Sequence, residues 1–123
     1  MRLEHVNLTV ADLERSIGFY RALLGLRVRW QGTTAGGTPA AHVGDDAMYL
    51  ALFEGRGTAP AWDYSAVGYN HMGFVVDDLD AARARLEALG APIHAVDPYE
   101  PGRRLYFTDP DGLEVELVEY PAD

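Results

Sequence analysis

The sequence predicts an α+β fold built from two βαβββ modules, and two observations support this prediction. The first is an internal repeat: residues 5–13 align with residues 71–79 at a constant spacing of 66 positions, with four identities. The second is that each copy begins with apolar residues in the strand period and continues into a helical pattern. Because repetition at a fixed spacing is a signature of duplicated structural units, one half of the chain predicts the fold of the other.

The first module, residues 1–56, begins with a strand over residues 3–10. Its side chains alternate, with Val6, Leu8 and Val10 on one face and His5, Asn7 and Thr9 on the other. The apolar face is expected to pack on helices, which leaves His5 on the more polar face. Asp12 is the predicted N-cap of the following helix, and Gly25 sits where a left-handed C-terminal cap is expected.

Three short strands are predicted to complete this module, at about residues 27–31, 40–43 and 48–53. Turn-prone stretches at 33–37 and 44–46 separate them. Residues 57–69, rich in glycine and proline, are predicted to connect the modules, and Trp62, Tyr64 and Tyr69 in this connection are expected to fold over a cavity.

The second module, residues 70–120, repeats the plan. Residues 71–76 alternate as a strand, and Asp78 is the predicted cap of a helix that stops at Gly90. Strands follow near 93–96, 105–108 and 113–120, and the sequence Asp109-Pro110-Asp111-Gly112 predicts a tight turn between the last two. The two histidines His5 and His71 therefore fall at equivalent places on equivalent faces.

Composition limits the classes of function. A chain of 123 residues suits a single domain, and its net charge of −9 disfavours nucleic acid or an anionic membrane as partner. Without cysteine it offers no disulfide, thiol nucleophile or thiolate ligand. No apolar run reaches the length of a membrane span, so we expect a soluble, cytoplasmic protein.

A divalent metal site is the chemistry that the repeat favours. A single histidine at the start of a strand is more often an ordinary polar residue, but His5 and His71 occupy matching positions of the repeat. Glu116 lies between apolar residues of the last predicted strand, where an unpaired carboxylate is costly, and is the predicted third ligand; Glu114, nearer the turn, is expected to be solvated. Three protein ligands leave positions open for a substrate.

The whole chain resembles the vicinal oxygen chelate superfamily, which includes glyoxalases, bleomycin-resistance proteins and extradiol dioxygenases. The segments that carry the resemblance are HVNLTVADL (5–13), FYRALLGL (19–26), HMGFVVDDL (71–79) and YFTDPDGLEVEL (106–117). The resemblance implies two curved half-barrel sheets with helices outside and one divalent ion per site, with Fe, Mn, Ni and Zn all possible. It also implies a homodimer in which His5 of one subunit meets His71 and Glu116 of the other.

Three subfamilies remain as alternatives. Glyoxalase-type lyases usually add a fourth ligand, and the matching position is Ala51, or Tyr49 in a shifted register. Fosfomycin-resistance thiol transferases resemble this chain in using two histidines and one glutamate, but residues 99–104 replace their cation-binding loop. Extradiol dioxygenases use the same ligand set with iron(II), and Tyr106 matches their signature tyrosine.

Two functional hypotheses follow. In the first, a metal-dependent enzyme binds a small substrate that chelates the ion through adjacent oxygens. Asn7 and Thr9 would orient the substrate, and Arg103, Arg104 and Tyr106 would bind it through positive charge and a phenol. Tyr106 is the candidate catalytic group, and no general base is evident outside the metal ligands. In the second, a metal-free protein sequesters a drug in an apolar groove lined by Trp30, Trp62, Tyr64 and Tyr69.

Overall fold

The first half of the chain forms one open four-stranded sheet with one helix. A computed structural model describes residues 1–61, 63–97 and 102–122, and the chain divides into two compact units, Met1–Thr58 and Ala59–Asp123. The elements of the first unit are β1 (His5–Val10), α1 (Leu13–Leu24), β2 (Arg27–Thr33), β3 (Pro39–Gly44) and β4 (Tyr49–Glu54). The sheet order is β1-β4-β3-β2, in which β1 runs parallel to β4 and the other pairs are antiparallel.

The second unit repeats this topology. Its elements are β5 (Met72–Val75), α2 (Leu79–Ala88), β6 (Ile93–Asp97), β7 (Arg103–Thr108) and β8 (Glu114–Glu119). The sheet order is β5-β8-β7-β6, again with one parallel pair at the edge. The predicted α+β fold of two βαβββ modules is confirmed. Among the described residues, no helix combines the length and apolarity needed to span a membrane.

The two faces of each sheet differ in what they contact. In the first unit, strand β4 contacts helix α1. Leu50 and Leu52 of β4 are buried on the sheet face toward α1, and Ile17, Tyr20 and Leu23 of α1 are buried as well. Alternation along β4 therefore turns Tyr49, Ala51 and Phe53 to the face away from α1. His5 pairs with Tyr49 in the β1–β4 ladder and shares that face.

Both helices begin in the same way, with two carboxylates. Asp12 and Asp78 are the N-caps, and each accepts a hydrogen bond from the backbone amide three residues later at 3.0 Å. A glutamate from the end of the central strand also accepts from the first helical amide: Glu54 from Leu13 at 3.0 Å and Glu119 from Leu79 at 2.9 Å. Glu54 and Glu119 occupy equivalent positions in the two modules, and each forms a hydrogen bond between its sheet and its helix.

Replacing Glu54 with alanine is expected to lower the free energy of unfolding by about 1–2 kcal/mol, because the part-buried Leu13 amide loses a charged acceptor. Glu54→Gln keeps an acceptor oxygen and should lose less than half of that. Urea unfolding of both variants measures the difference. Equal losses would show that charge near the helix terminus, rather than this hydrogen bond, provides the stabilisation.

The turn predicted at residues 109–112 is also confirmed. Oδ1 of Asp109 accepts from the amides of Asp111 and Leu113, at 2.9 and 3.0 Å. Gly112 has φ of 81°, a left-handed conformation that favours glycine. The predictions for Trp62 and for residues 99–101 lie outside the described part of the chain.

Candidate metal centre

His71 and Glu116 are in contact in the second unit. His71 directly precedes β5, which runs parallel to β8, and Gly73 pairs with Glu116 across this ladder. Nε2 of His71 lies 2.9 Å from Oε1 of Glu116. The side chain of Glu116 is only 11% exposed and that of His71 25% exposed, so both groups are largely shielded from water while the imidazole remains reachable.

The neighbouring Asn70 fixes which nitrogen of His71 faces Glu116. Nδ1 of His71 lies 2.6 Å from Oδ1 of Asn70. An amide oxygen only accepts hydrogen bonds, so Nδ1 carries the hydrogen. A carboxylate oxygen also only accepts, so Nε2 and Oε1 of Glu116 need a proton or a metal cation between them. The donor set therefore fits a divalent ion, and Asn70 is placed to orient the imidazole if His71 binds one.

His5 shows the same arrangement in the first unit. Its Nδ1 lies 2.8 Å from Oε1 of Glu4, again the residue immediately before the histidine. Hydrogen bonds from His5 and from the hydroxyl of Tyr49 lower the pKa of Glu4, which is therefore an ionised acceptor at neutral pH. With Nδ1 engaged, the half-exposed imidazole keeps Nε2 for another partner. In both repeats the preceding residue thus selects the same tautomer.

Arg104 occupies the second oxygen of Glu116. A guanidinium nitrogen of Arg104 donates to Oε2 at 2.6 Å. Burial opposes ionisation of Glu116, but the hydrogen bonds from Arg104 and His71 outweigh burial and lower its pKa. The same bond raises the pKa of Arg104. Glu116 is therefore a carboxylate at neutral pH, with one oxygen directed to Arg104 and the other to His71.

Two phenol rings flank His71. The ring of Tyr106 meets the imidazole edge-on at 5.7 Å, and the ring of Tyr64 lies 6.0 Å away. The Tyr64 hydroxyl donates to Oε1 of Glu114. Burial and this hydrogen bond raise the pKa of Tyr64 to about 12, so it is a neutral donor.

The expectation that Glu114 is solvated is wrong, because this residue is only 2% exposed. Its Oε1 accepts from Tyr64 and lies 3.9 Å from Nε2 of His94, while its Oε2 is buried without a hydrogen-bond partner. A register shift in the β6–β7 ladder falls at His94. The sequence position of Glu114 predicts only the face of the strand on which its side chain lies. Its burial depends on Tyr64, which is fifty positions earlier in the chain.

The structure brings two of the predicted substrate-binding residues to the pair His71 and Glu116. Arg104 contacts Glu116 and Tyr106 contacts His71, but Arg103 lies elsewhere. Its guanidinium is 2.7 Å from Asp80 on α2 and 3.6 Å from Glu119. Alternation along β7 explains this, because Arg103 and Arg104 point to opposite faces and only Arg104 shares the face of Glu116. Arg103 therefore lies away from His71 and Glu116, and its role as a substrate ligand stays a prediction.

Asn7 and Thr9 lie on the exposed face of β1 together with His5. The Asn7 amide donates to the carbonyl oxygen of Ala51 at 2.8 Å, which is a contact between β1 and β4. Thr9 is exposed. The register also identifies the counterpart of Glu116, because His42 pairs with Ala51 as Tyr106 pairs with Glu116. Ala51 offers no metal ligand.

Within the described part of a single chain, no three histidine, aspartate or glutamate side chains gather as a metal-binding set. The structure therefore brings together two of the three predicted ligands, His71 and Glu116. Asn70 and Glu4 were not predicted from sequence. Their signal is the shared position directly before each repeated histidine, with a side-chain oxygen in both copies.

The model of the Glyoxalase/Bleomycin resistance protein/Dioxygenase superfamily matches residues 2–117. The chain belongs to this superfamily. It is 33% identical to the glutathione transferase FosA of Serratia marcescens, over 94% of this chain and 78% of that protein. It is 30% identical to the lactoylglutathione lyase of Salmonella typhimurium, over 97% and 93% of the two chains. A FosX mutant from Listeria monocytogenes, solved with Mn(II) and a dihydroxypropylphosphonic acid, has the same fold: TM-score 0.78, 21% identity, covering 95% of this chain and 90% of that one.

Proposed function

We propose that this superfamily member is a divalent-metal-dependent enzyme whose small substrate binds the ion through two adjacent oxygens. One observation carries the proposal: Nε2 of His71 faces Oε1 of Glu116 at 2.9 Å while Asn70 holds the proton on Nδ1. Two acceptors at this distance need a proton or a metal cation between them, and a divalent ion is the one proposed here. The third ligand in the proposal is His5, contributed by the second subunit of a homodimer, as the family resemblance implies.

The residues around the pair have separate roles in this proposal. A bound ion would stabilise negative charge that develops on a substrate oxygen. Arg104 neutralises Glu116 and places a fixed positive charge on the same face, which favours an anionic or oxyanion-bearing substrate. Tyr106, with its ring against His71, is the candidate proton donor to the substrate.

Glutathione chemistry is the first reaction class to test. The names of both curated relatives, a glutathione transferase and a lactoylglutathione lyase, contain this thiol. The apolar Ala51 in the position equivalent to Glu116 leaves a three-residue ligand set, which favours the transferase over a lyase with a fourth ligand. Ring-opening dioxygenation with iron(II) is the remaining alternative.

The test combines metal loading with assays for turnover. Protein purified without added metal is titrated with Mn(II), Zn(II), Ni(II) and Fe(II), and the bound ion is counted by elemental analysis. Loaded protein is then assayed with glutathione plus fosfomycin, with the hemithioacetal of methylglyoxal and glutathione, and with catechol under oxygen. We expect about one ion per chain, as three protein ligands imply, and turnover in one of the three assays. A chain that takes up none of the four ions contradicts the proposal.

A metal-free binding protein is the second candidate, and one observation favours it. The first unit contains an open cleft of about 730 Å³ bordered by Trp30, His42 and Phe53. Its size is that of a small-molecule site. Tight binding of a hydrophobic drug by protein that takes up no ion would support this function instead of the enzyme.

A further inference from the structure

Tyr64 reaches the candidate metal centre from the connecting segment that precedes β5. Residues 63–69 of this segment are all exposed, yet the ring of Tyr64 lies 6.0 Å from the His71 imidazole, tilted by 31°. Its hydroxyl donates to Oε1 of Glu114, which lies on the same face of β8 as Glu116. The Tyr64 side chain therefore borders the face on which His71 and Glu116 meet.

Glu114 depends on this phenol for its hydrogen bonding. The residue is 2% exposed, its Oε2 is buried without a partner, and Nε2 of His94 lies 3.9 Å from Oε1, beyond hydrogen-bond length. Among the described residues, Tyr64 is thus the hydrogen-bond donor to this carboxylate. Because a buried carboxylate without any donor is costly, the bond from Tyr64 is strongly favoured.

This bond fixes the direction of the Tyr64 hydroxyl hydrogen. A phenol has one hydrogen to donate, and turning it elsewhere would leave Glu114 without its donor. Burial and the same bond raise the pKa of Tyr64 to about 12, so the phenol keeps the hydrogen at neutral pH. Toward a ligand at His71, the hydroxyl of Tyr64 therefore presents oxygen lone pairs and acts as an acceptor.

The first unit contains a related bond in which the two residue types are exchanged. The strand position equivalent to Glu114 is Tyr49. Tyr49 donates to Oε1 of Glu4 at 3.1 Å, and this exposed carboxylate also contacts Nδ1 of His5 at 2.8 Å. Glu4 has water and a second partner available, so it does not constrain the phenol as the buried Glu114 does. The fixed acceptor is therefore a property of the second unit.

We propose that Tyr64 accepts a hydrogen bond from the substrate, and that Glu114 is the positioning residue that holds its hydroxyl in this orientation. The inference rests on the proposed function, in which the substrate binds beside His71. It narrows the substrate to small chelating molecules that carry a hydroxyl or another hydrogen-bond donor beside the two chelating oxygens. Arg104 supplies positive charge on the same face, so Arg104 and Tyr64 favour opposite features of one ligand.

The test compares two ligands that can chelate through the same pair of oxygens. Pyrogallol carries a third hydroxyl beside this pair, whereas 3-methoxycatechol carries a methoxy group there, which accepts but does not donate. Both are titrated calorimetrically under argon into the full chain, loaded with the ion that it binds most tightly. Wild type should bind pyrogallol at least about fivefold more tightly, because it gains a hydrogen bond and avoids two facing acceptors. Equal binding, or tighter binding of 3-methoxycatechol, overturns the proposal.

Substitution of Tyr64 separates the effect of its oxygen from that of its ring. Tyr64→Phe keeps the ring beside His71 and should bring the two affinities within about twofold, mainly by weakening pyrogallol binding. Ser65→Ala is the matched control, because it removes a neighbouring hydroxyl that is bonded to Asp63 at 2.6 Å. The preference for pyrogallol should not change in this control. A preference that persists in Tyr64→Phe overturns the assignment of Tyr64.

Substitution of Glu114 tests the positioning role. Glu114→Met removes the acceptor and releases the Tyr64 hydrogen, so 3-methoxycatechol should bind more tightly and the preference for pyrogallol should fall by about threefold or more. Glu114→Gln retains an acceptor oxygen and should preserve most of the preference. If Glu114→Met weakens both ligands equally, Glu114 has only a structural role and the positioning role is wrong.

Metal uptake distinguishes failure of this inference from failure of the proposed function. Competition with a chromophoric chelator should give Tyr64→Phe and Glu114→Met the metal affinity of wild type within about threefold, since neither residue is a proposed ligand. Protein that takes up none of the four ions contradicts the proposed function and this inference together. Protein that takes up an ion but shows no preference for pyrogallol contradicts this inference alone.

Discussion

Replacing His71 with alanine is expected to weaken divalent-metal binding by at least about 100-fold. Loss of an outer partner of a ligand typically costs 10- to 100-fold in metal affinity, and loss of the ligand itself costs more. Competition with a chromophoric chelator measures the affinity in wild type and variant. His94→Ala is the matched control, because this imidazole lies beside Glu114 at 3.9 Å and is not among the proposed ligands. It should stay within about threefold of wild type.

Substitutions of Asn70, the hydrogen-bond partner of the His71 imidazole, should reduce metal affinity in graded steps. Asn70→Ala removes the acceptor of the Nδ1 hydrogen, and we expect metal affinity to fall by about 10- to 100-fold. Asn70→Asp keeps an acceptor oxygen and should retain most of the affinity. If His71→Ala binds metal as wild type does, the pair His71 and Glu116 is an ion pair within the sheet and not a metal centre.

The sequence predicts the order of strands and helices well, because these elements follow local rules and each rule is seen in both copies of the repeat. Alternation in β1 and the caps Asp12 and Asp78 use only neighbouring residues, and the structure agrees with them. Each helix or strand predicted in one module also supports the prediction of its equivalent in the other module. Periodicity alone does not specify which strands pair, so the sheet order with its parallel edge pair comes from the structure.

The surroundings of the site are less predictable, because they depend on contacts between distant segments. The burial of Glu114 follows from Tyr64, which belongs to a connecting segment with no strand or helix pattern. The pairing of Arg104 with Glu116 follows from the β7–β8 register, which a one-residue shift would replace with Arg103. The equivalence of His42 and Tyr106 also depends on strand register, because His42 pairs with Ala51 as Tyr106 pairs with Glu116.

Replacing Arg104 with methionine is expected to act in opposite directions on stability and on metal binding. In metal-free protein the variant leaves the Glu116 carboxylate, 11% exposed, without its 2.6 Å partner. Because removal of one member of a shielded pair leaves an uncompensated charge, the free energy of unfolding should fall by about 2 kcal/mol, less than for a fully buried pair. Urea unfolding in the presence of a chelator measures this loss.

Metal affinity should instead rise about tenfold or more in Arg104→Met. The guanidinium repels a divalent cation at the neighbouring oxygen and competes for Glu116, so its removal frees both carboxylate oxygens and removes a positive charge. Arg103→Met is the adjacent control: its ion pairs with Asp80 and Glu119 are half-exposed, so stability should change less than in Arg104→Met and metal affinity should not change. Weaker metal binding in Arg104→Met would mean that Arg104 organises Glu116 for the ion instead of competing with it, because a carboxylate that loses its 2.6 Å partner can rotate away from His71.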